Sequence, residues 1–411
     1  MAMLLAATGL GPAPTAYAGG PDCFDRSAAL TVEQTRASRA NPQEILAASA
    51  FDEEVAGFER KLCRTRNARA ALALVEREGQ ALWKLATARA QGRTRVAGSL
   101  PGDDDRPLYW ARVSMTAAIA QWEPRFGATA EQRHALTEAL ETTSRGQDTI
   151  KLKAGRRVTR VLVTGFDPFT LDRDDRIGNP SGANALTLDG TTVRTSHGKV
   201  QIETAMFPVR WDDFADGEVE RTLQPYLEPG PRRVDVLTTV SQGRPGRFDL
   251  EVWNGANRGG FADNENLERT GIVPVPEGAA TVEPQPQWTR TSLPAEQMAT
   301  DVPAPFQVAV NHQIVERDPV TGVERTTSDG PTPGSLAVEG GGGDYLSNEI
   351  AYRATLLRDA TSSPNAGGHI HTPVLEGLPA DGAITGEGFE DNRASIVGQT
   401  KALVLSAAAH H

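Results

Sequence analysis

Cysteine is scarce in this chain, which has two, Cys23 and Cys63, among 411 residues. Two cysteines cannot build a disulfide-rich small fold or a zinc site made of four cysteines. The sequence also lacks any run of 18 or more apolar residues, so it predicts no membrane-spanning helix. With 39% hydrophobic and 23% charged residues, the composition is typical of a folded protein and not of a disordered chain.

Positive charge is in deficit only in the C-terminal part of the chain. Residues 1–150 contain 18 basic and 18 acidic residues, whereas residues 151–411 contain 24 and 35, which accounts for the whole net charge of −11. An acidic surface repels phosphate groups, so we expect no nucleic-acid partner.

The first residues predict the remnant of a secretory signal peptide. Residues 1–19 contain a short apolar stretch that ends in Ala16-Tyr17-Ala18, which fits the small-x-small rule for signal cleavage, although they carry no basic segment. A disordered tail is the alternative. An exported chain folds in an oxidising compartment, so we expect a secreted protein in which Cys23 and Cys63 form a disulfide. Two unrelated buried thiols are the other possibility.

Residues 20–150 predict a helical domain of four or five helices. Apolar side chains recur there at helical spacing: Ile45, Leu46, Phe51, Val55, Phe58, Leu72, Val75, Leu82, Trp83, Trp110, Val113, Ile119 and Trp122. Thr129 to Gln132 has the residue types that begin a helix. The polar residues 142–156 connect this region to the remainder of the chain.

Residues 151–411 predict an α/β domain. β-branched runs predict strands at 158–164, 234–240, 308–310 and 368–373, and helices are expected between them at 212–227, 295–301 and 345–359. Alternation of strands and helices favours an open twisted sheet with helices on both faces. Residues 265–290 and 316–335, rich in proline, threonine and glycine, are expected to form surface loops.

Four segments carry a resemblance to a known family. They read VLVTGFDPF at 161–169 with NPS at 179–181, GRPGR at 243–247 with ADN at 262–264, GGGDYLSN at 341–348, and GHIHTP at 368–373. In this order they resemble the pyroglutamyl peptidase I family of cysteine peptidases, which remove N-terminal pyroglutamate. The resemblance covers about residues 157–376, and the helical region has no counterpart in it. It implies the family's α/β fold and a peptide or small amide as the substrate, without a cofactor.

The resemblance implies a role for several residues. Ser347 stands at the position of the family's nucleophilic cysteine, and His371 matches its catalytic histidine. Phe166 and Phe169 match the aromatic pair that encloses the pyroglutamyl ring. Gln242 lies one place from the residue that hydrogen-bonds the lactam.

The family's catalytic acid is displaced in this sequence. Counted six residues on from Arg247, its position is occupied by Trp253, which is not an acid. Glu251 precedes it by two residues, and residues two apart on a strand share a face, so we assign the acid to Glu251. Asp249 has the same parity and is the weaker candidate.

An oxyanion hole is also expected from the resemblance. The family arginine whose backbone contributes to that hole aligns with Gly260, and a backbone N–H remains there after the change. The second donor would be the N–H of Ser347, at the start of a predicted helix, where N–H groups and the helix dipole favour negative charge.

The residues allow two functions. A serine does not ionise as a cysteine does and must lose its proton to a base during attack, so Ser347 needs His371 as general base and Glu251 to orient it. That arrangement predicts a secreted serine-type hydrolase of pyroglutamyl amides. The alternative is an inactive homologue that binds pyroglutamyl or related peptide ends, since Ser347 on its own fits a common helix-start serine.

A metal site is not expected. His369 and His371 share one strand face and could chelate zinc, but a third ligand would have to come from His312 or Glu251.

Overall fold

The computed structural model describes residues 23–95, 97–153, 155, 157–196 and 198–411. The expected signal-peptide remnant at residues 1–19 lies outside the described residues. Six helices precede the first strand within the described ranges, one more than the upper expectation: α1 (Val32–Arg36), α2 (Ala40–Ser49), α3 (Phe51–Leu62), α4 (Ala68–Ala90), α5 (Arg106–Gln121) and α6 (Ala130–Ser144).

Capping side chains explain where several of these helices begin. Thr31 and Thr129 each accept a hydrogen bond from the backbone N–H three residues later, and the side-chain oxygen of the glutamine at that position accepts one from the backbone N–H of the cap residue. Asn67 caps α4 with a single bond, because its side chain accepts a hydrogen bond from the backbone N–H of Ala70. These bonds satisfy N–H groups that the first helical turn leaves without partners. The predicted helix start at Thr129 is confirmed.

A seven-stranded sheet forms the centre of the C-terminal part. Its strands are β1 (Val158–Phe166), β2 (Thr191–Thr195), β3 (Gly198–Phe207), β4 (Val236–Gln242), β5 (Arg247–Glu251), β10 (Gln307–Asn311) and β14 (Ala366–Thr372). They lie side by side in the order β10-β5-β14-β4-β1-β3-β2. Strand β14 is parallel to β4 and antiparallel to β5. The predicted α/β class and all four predicted strands are confirmed.

The remaining elements connect and cover this sheet. The short strands are β6 (Trp253–Gly255), β7 (Asn257–Gly259), β8 (Thr270–Ile272), β9 (Trp288–Arg290), β11 (Ile314–Arg317), β12 (Glu324–Thr327) and β13 (Leu336–Glu339). The helices are α7 (Pro180–Leu188), α8 (Trp211–Ala215), α9 (Glu218–Leu223), α10 (Ala295–Asp301), α11 (Leu346–Ala360) and α12 (Glu387–His410). No helix among the described residues is long and apolar enough to cross a membrane.

Two predictions about these elements are wrong in part. The helix expected at 212–227 is divided into α8, α9 and a single 3-10 turn at 224–226. Gly217 separates the first two with φ +82°, a left-handed conformation that an α-helix cannot continue through. The segments expected to be loops at 265–290 and 316–335 contain β8, β9, β12 and the end of β11. Each of these short strands is held by antiparallel pairing with a strand before or after it, which overrides the turn-forming composition.

Helices cover both faces of the sheet. Leu162 and Leu237 face a buried cluster that includes Leu346 and Ile350 of α11. The opposite face carries Val161, Val236 and Ile370, which pack with four residues of α12: Phe389, Ile396, Leu403 and Val404. Helix α11 therefore lies over the face that also bears the polar residues described below.

The helical region packs directly against the sheet-bearing region. A single buried cluster contains Trp83, Leu108 and Trp110 of the helices together with Ala185 and Met206 of the C-terminal part. The division into domains at 20–150 and 151–411 stays a prediction, but the hydrophobic contact across that boundary is continuous.

Cys23 and Cys63 form a disulfide, as predicted. Their Cα atoms are 5.9 Å apart and the residues are 40 positions apart in sequence. The bond ties the segment before α1 to the end of α3. Both cysteines of the sequence are therefore in this bond, and the chain has no free thiol.

Replacing both cysteines with serine should lower the free energy of unfolding by about 4 kcal/mol, because a closed loop of this length restricts the unfolded chain. Urea denaturation followed by circular dichroism measures the change. Reduction of the unaltered protein with dithiothreitol is the control and should produce a similar loss. A serine variant as stable as the parent would contradict the prediction.

Candidate active site

A group of polar side chains lies on one face of three adjacent strands in the middle of the sheet. Side chains two positions apart on a strand share a face, and the register of β4, β14 and β5 aligns these residues across it. The group consists of Thr239 and Ser241 on β4, His369 and His371 on β14, and Asp249 and Glu251 on β5. All six are buried, so each must satisfy its polar atoms within the protein.

Glu251 and His371 form the closest contact between the predicted site residues. Glu251 Oε1 lies 2.7 Å from His371 Nδ1, and the two residues are only 2% and 6% exposed. A carboxylate can only accept, so Nδ1 carries the proton in this bond and Nε2 is left to accept one. The structure thus brings together the histidine and the acid that the sequence selected, although the acid is displaced from the family position.

Asp249, the weaker candidate for the acid, has a different partner. It forms an ion pair with Arg247, whose Nη2 lies 2.9 Å from Asp249 Oδ1. Burial, and then the negative charge of Glu251, raise the pKa of Asp249 above its usual range. Glu251 is therefore the carboxylate available to orient His371.

Asn311 is a site residue that the sequence did not indicate. It is the last residue of β10 and pairs in register with Glu251. Its Nδ2 donates to Glu251 Oε2 at 2.7 Å and to the Gly341 carbonyl at 3.2 Å. Asn311 thereby holds the second carboxylate oxygen while His371 uses the first. The only available signal was its place directly after the strand predicted at 308–310, and the pairing of that strand with β5 was unknown.

The four-glycine run at 340–343 lies so close to the site side chains that two of its positions have no room for a Cβ atom. A Cβ on Gly341 would overlap Glu251 Oε2, and one on Gly342 would lie 2.9 Å from His371 Cε1. Real Cβ atoms essentially never approach that closely, so any larger residue at these two positions would displace the acid or the imidazole. Because these positions are glycine, Glu251 and His371 can lie directly against the backbone of the segment that precedes Ser347.

Ser347 is the second residue of α11 and lies four positions after the last glycine of this run. Its side chain is partly exposed, and its Oγ donates to the Gly342 carbonyl at 3.1 Å. No hydrogen bond joins it to His371 within the part of the chain that the structure describes. The hydroxyl is therefore turned toward the backbone at Gly342, the residue whose Cβ, if present, would meet the His371 ring.

His369 is fully enclosed and not near the surface. Its Nδ1 and Nε2 each lie 2.8 Å from a hydroxyl, those of Thr239 and Ser241. Burial comes first in holding the pKa of His369 well below its usual value, and the neighbouring His371 imidazole adds to the effect, so His369 stays neutral beside the His371–Glu251 pair. Among the described residues, no group of three or more histidine, cysteine or acidic residues could hold a metal ion.

The residues expected to bind substrate are unequally accessible. Phe166 is 3% exposed, and its ring stacks on Phe214 in the core at a centroid distance of 6.0 Å. Phe169 is partly exposed and lies 6.2 Å from the ring of Tyr345. Gln242, partly exposed at the end of β4, accepts a hydrogen bond from Leu375 N–H at 3.1 Å.

Gly260 lies on the turn after β7, with φ +87°. The neighbouring Gly259 donates its N–H to the Asp344 carbonyl at 2.8 Å, and Phe261 packs 5.0 Å from the Tyr345 ring. Both contacts bring this turn against the segment that immediately precedes Ser347.

Comparison with known proteins identifies the family. Residues 13–141 match the family model described as the PA0049 N-terminal domain, and residues 160–277 and 302–376 match the PA0049 C-terminal domain. The chain is 34% identical over 503 aligned residues to a Pseudomonas aeruginosa protein named "Uncharacterized protein PA0049", covering 93% of this chain and 90% of that protein. The chain belongs to the PA0049 family. Both the helical and the sheet-bearing regions of this PA0049-family protein are thus shared with its relative.

Solved structures offer a more distant likeness. A mutant pyrrolidone carboxyl peptidase from Pyrococcus furiosus has a TM-score of 0.40 and 19% identity, covering 61% of this chain and 99% of its own. Pyroglutamyl peptidase I from Bacillus amyloliquefaciens has a TM-score of 0.41 and 18% identity, with coverage of 61% and 98%. Values this low assign no activity, so the function of this PA0049-family protein must be argued from its own residues.

Replacing Asn311 with alanine should loosen the Glu251 carboxylate and allow His371 to exchange its Nδ1–H form for the Nε2–H form. The two forms are distinguished by NMR of protein labelled with ¹⁵N-histidine. Asn184→Ala is the matched control, since Asn184 is also buried but donates to Pro180 on α7. An unchanged tautomer of His371 in Asn311→Ala would contradict the role of Asn311.

Proposed function

We propose that this protein is a secreted serine-type amidase that cleaves an N-terminal pyroglutamyl amide bond. The hydrogen bond between Glu251 and His371, formed against the glycine run that leads into Ser347, is the observation that carries the proposal. It supplies a histidine of defined tautomer, and the same glycine run accepts a hydrogen bond from the Ser347 hydroxyl at a helix N-terminus. A base of fixed tautomer and a helix-start hydroxyl are the groups that serine acyl transfer requires.

The reaction begins with attack by Ser347 on the carbonyl that joins pyroglutamate to the next residue. The hydroxyl first turns from the Gly342 carbonyl toward His371, whose Nε2 takes its proton as the Oγ–carbon bond forms. His371 returns that proton to the leaving amine as the amide bond breaks. Water then hydrolyses the acyl-enzyme by the same route, with Glu251 holding the imidazole and stabilising its positive charge.

Two backbone groups serve the developing oxyanion in this proposal. The Ser347 N–H lies in the first turn of α11, where N–H groups have no intrahelical partner and the helix dipole favours negative charge. The second donor is Gly260, on the turn that packs against the segment before Ser347. The pyroglutamyl ring would contact Phe169, and the buried Phe166 would lie beneath Phe169. Gln242 would hydrogen-bond the lactam amide.

The nucleophile in this proposal is an oxygen because no thiol is available. Both cysteines are bonded to each other in the helical region. A reactive thiol outside the cell is also open to oxidation, whereas a serine is not. The proposed chemistry therefore relies on His371 as a base to a greater degree than a cysteine enzyme would.

Export is supported by the same disulfide, since such bonds persist mainly in oxidising compartments. When the full sequence is expressed in a Gram-negative host, we expect the protein outside the cytoplasm with its N-terminus trimmed after Ala18. Fractionation and intact-mass measurement test this. An untrimmed protein that stays in the cytoplasm with reduced cysteines would contradict export.

The purified protein should release a fluorophore from a pyroglutamyl amide, be inhibited by serine-directed reagents and resist iodoacetamide. Ser347→Ala should lower kcat roughly a thousandfold or more, because it removes the atom that forms the acyl-enzyme. Glu251→Gln should lower kcat by a factor on the order of a hundred to ten thousand, since an amide stabilises the wrong tautomer of His371.

Asp249→Asn is the matched control for Glu251→Gln, because it neutralises the neighbouring carboxylate on the same strand face, and it should retain most of the activity. Turnover that is absent from the parent protein, or equal in the parent and Ser347→Ala, would overturn the catalytic proposal.

A second candidate function is binding of pyroglutamyl or related peptide ends without cleavage. The bond from Ser347 Oγ to the Gly342 carbonyl favours it, because the hydroxyl is not engaged with His371. Calorimetry with a pyroglutamyl peptide distinguishes the two functions. Saturable heat with an intact peptide afterwards indicates binding alone, whereas appearance of free pyroglutamate indicates hydrolysis.

A further inference from the structure

The helical region contacts the predicted substrate segment through a buried carboxylate. Asp167 lies between the two phenylalanines of the TGFDPF segment and is fully buried. Arg112 of α5 donates to its Oδ1, and Arg145, at the end of α6, donates to its Oδ2 through Nε at 3.1 Å and Nη2 at 2.7 Å. Both arginines come from residues 20–150, for which the peptidase resemblance offers no counterpart.

A second contact of this kind reaches the turn that follows Gly260. Asn264 is 2% exposed, and its Nδ2 donates to the Pro168 carbonyl at 2.9 Å and to Glu33 Oε1 at 3.0 Å. Glu33, on α1, also accepts a hydrogen bond from the Tyr109 hydroxyl at 2.7 Å. The Asn264 amide therefore joins three parts of the protein: the Phe166–Phe169 segment, the turn at 260–264 and the helical region.

The charges in these contacts depend on one another. Isolated burial of a carboxylate such as Asp167 is costly, and it is tolerated here because two guanidinium groups surround it. Arg145 also pairs with Glu141, and Arg210 of the C-terminal part pairs with both Glu141 and Glu33. A displaced helical region would leave these charges buried without partners, which is why the contact is held in one geometry.

We propose that the helical region is a positioning part of the active site, which holds the Phe166–Phe169 segment and the turn at 260–264 in their binding geometry through Asp167 and Asn264. This inference rests on the proposed function for the identity of the bound group. Arg112, Arg145, Glu33 and Tyr109 touch no substrate and act through the two loops. A displacement of about 1 Å in such positioning groups can reduce a rate roughly a hundredfold.

Arg145→Lys tests the inference because it keeps the positive charge and loses the planar fork that grips Asp167. The matched control is Arg89→Lys, since Arg89 is buried in the same helical region and its one side-chain hydrogen bond to a described residue goes to the Leu100 carbonyl. For a pyroglutamyl fluorogenic amide, Arg145→Lys should raise KM about tenfold with a smaller change in kcat. Arg89→Lys should leave both within about twofold.

Hydrogen exchange followed by mass spectrometry gives a readout that needs no turnover. In Arg145→Lys, amides at 166–169 and 260–264 should exchange faster, whereas those of the central strand β4 keep the parent rate. Equal exchange at both loops in the parent and Arg145→Lys would overturn the inference. Faster exchange everywhere, β4 included, would also overturn it, because it indicates general destabilisation.

Failure of the proposed function has a separate signature. A parent protein that turns over no pyroglutamyl amide would overturn the function, while loop exchange would still decide whether the helical region positions these loops. In that case the dissociation constant of a pyroglutamyl peptide, measured by calorimetry, replaces KM. Tyr109→Phe, which removes only the hydroxyl bound to Glu33, is used in the same measurements if Arg145→Lys does not fold, and it should speed exchange at 260–264.

Discussion

The hydrogen bond between Glu251 and His371 is the contact on which the arrangement of the site depends. It joins β5 to β14 on the face covered by α11, and it leaves Nε2 of the imidazole to act as an acceptor. Asn311 holds the other carboxylate oxygen and the Gly341 carbonyl, so the acid is tied to the glycine run as well as to the histidine. Two residues separate this run from α11, which bears Ser347. The Glu251–His371 bond and the two bonds of Asn311 together link three strands to the segment that precedes the proposed nucleophile.

Burial sets the chemistry of the neighbouring polar groups. His369 stays neutral because its pKa is held well below the usual value and two hydroxyls occupy its ring nitrogens. Asp249 is paired with Arg247 and leaves Glu251 as the partner of His371. Each polar side chain on this face therefore has a defined partner, and in the proposed reaction Ser347 is the group whose bond to the backbone must change. Reorientation of one hydroxyl is a small step compared with moving a strand.

The helical region contacts the segments around the candidate site, and the composition of residues 20–150 does not predict these contacts. Its buried arginines and Glu33 bind Asp167 and Asn264, next to the segments expected to hold substrate and oxyanion. These ion pairs form only where two regions distant in sequence meet, and charged residues in a helix usually indicate a solvent-exposed face. The pattern of residues 20–150 therefore predicted helices correctly but not the buried charges that join them to the site. The family comparison agrees that both regions belong together, since one relative matches 93% of this chain and family models match both regions.

The sequence by itself determined the α/β class and the four main strands of the sheet, because hydrophobic periodicity is a local property. A count of two cysteines predicted the disulfide partners, and the resemblance of short motifs to a known family supplied the candidates Ser347, His371 and Glu251. It placed the acid by strand parity, which a neighbouring residue of the same parity, Asp249, satisfied equally. Only the tertiary structure decided between them, since the choice depends on which side chain reaches His371 across β5 and β14. The same holds for Asn311, for the burial of Phe166 and for the arginines around Asp167. Each of these depends on pairing between elements far apart in the chain, and no local pattern encodes that pairing.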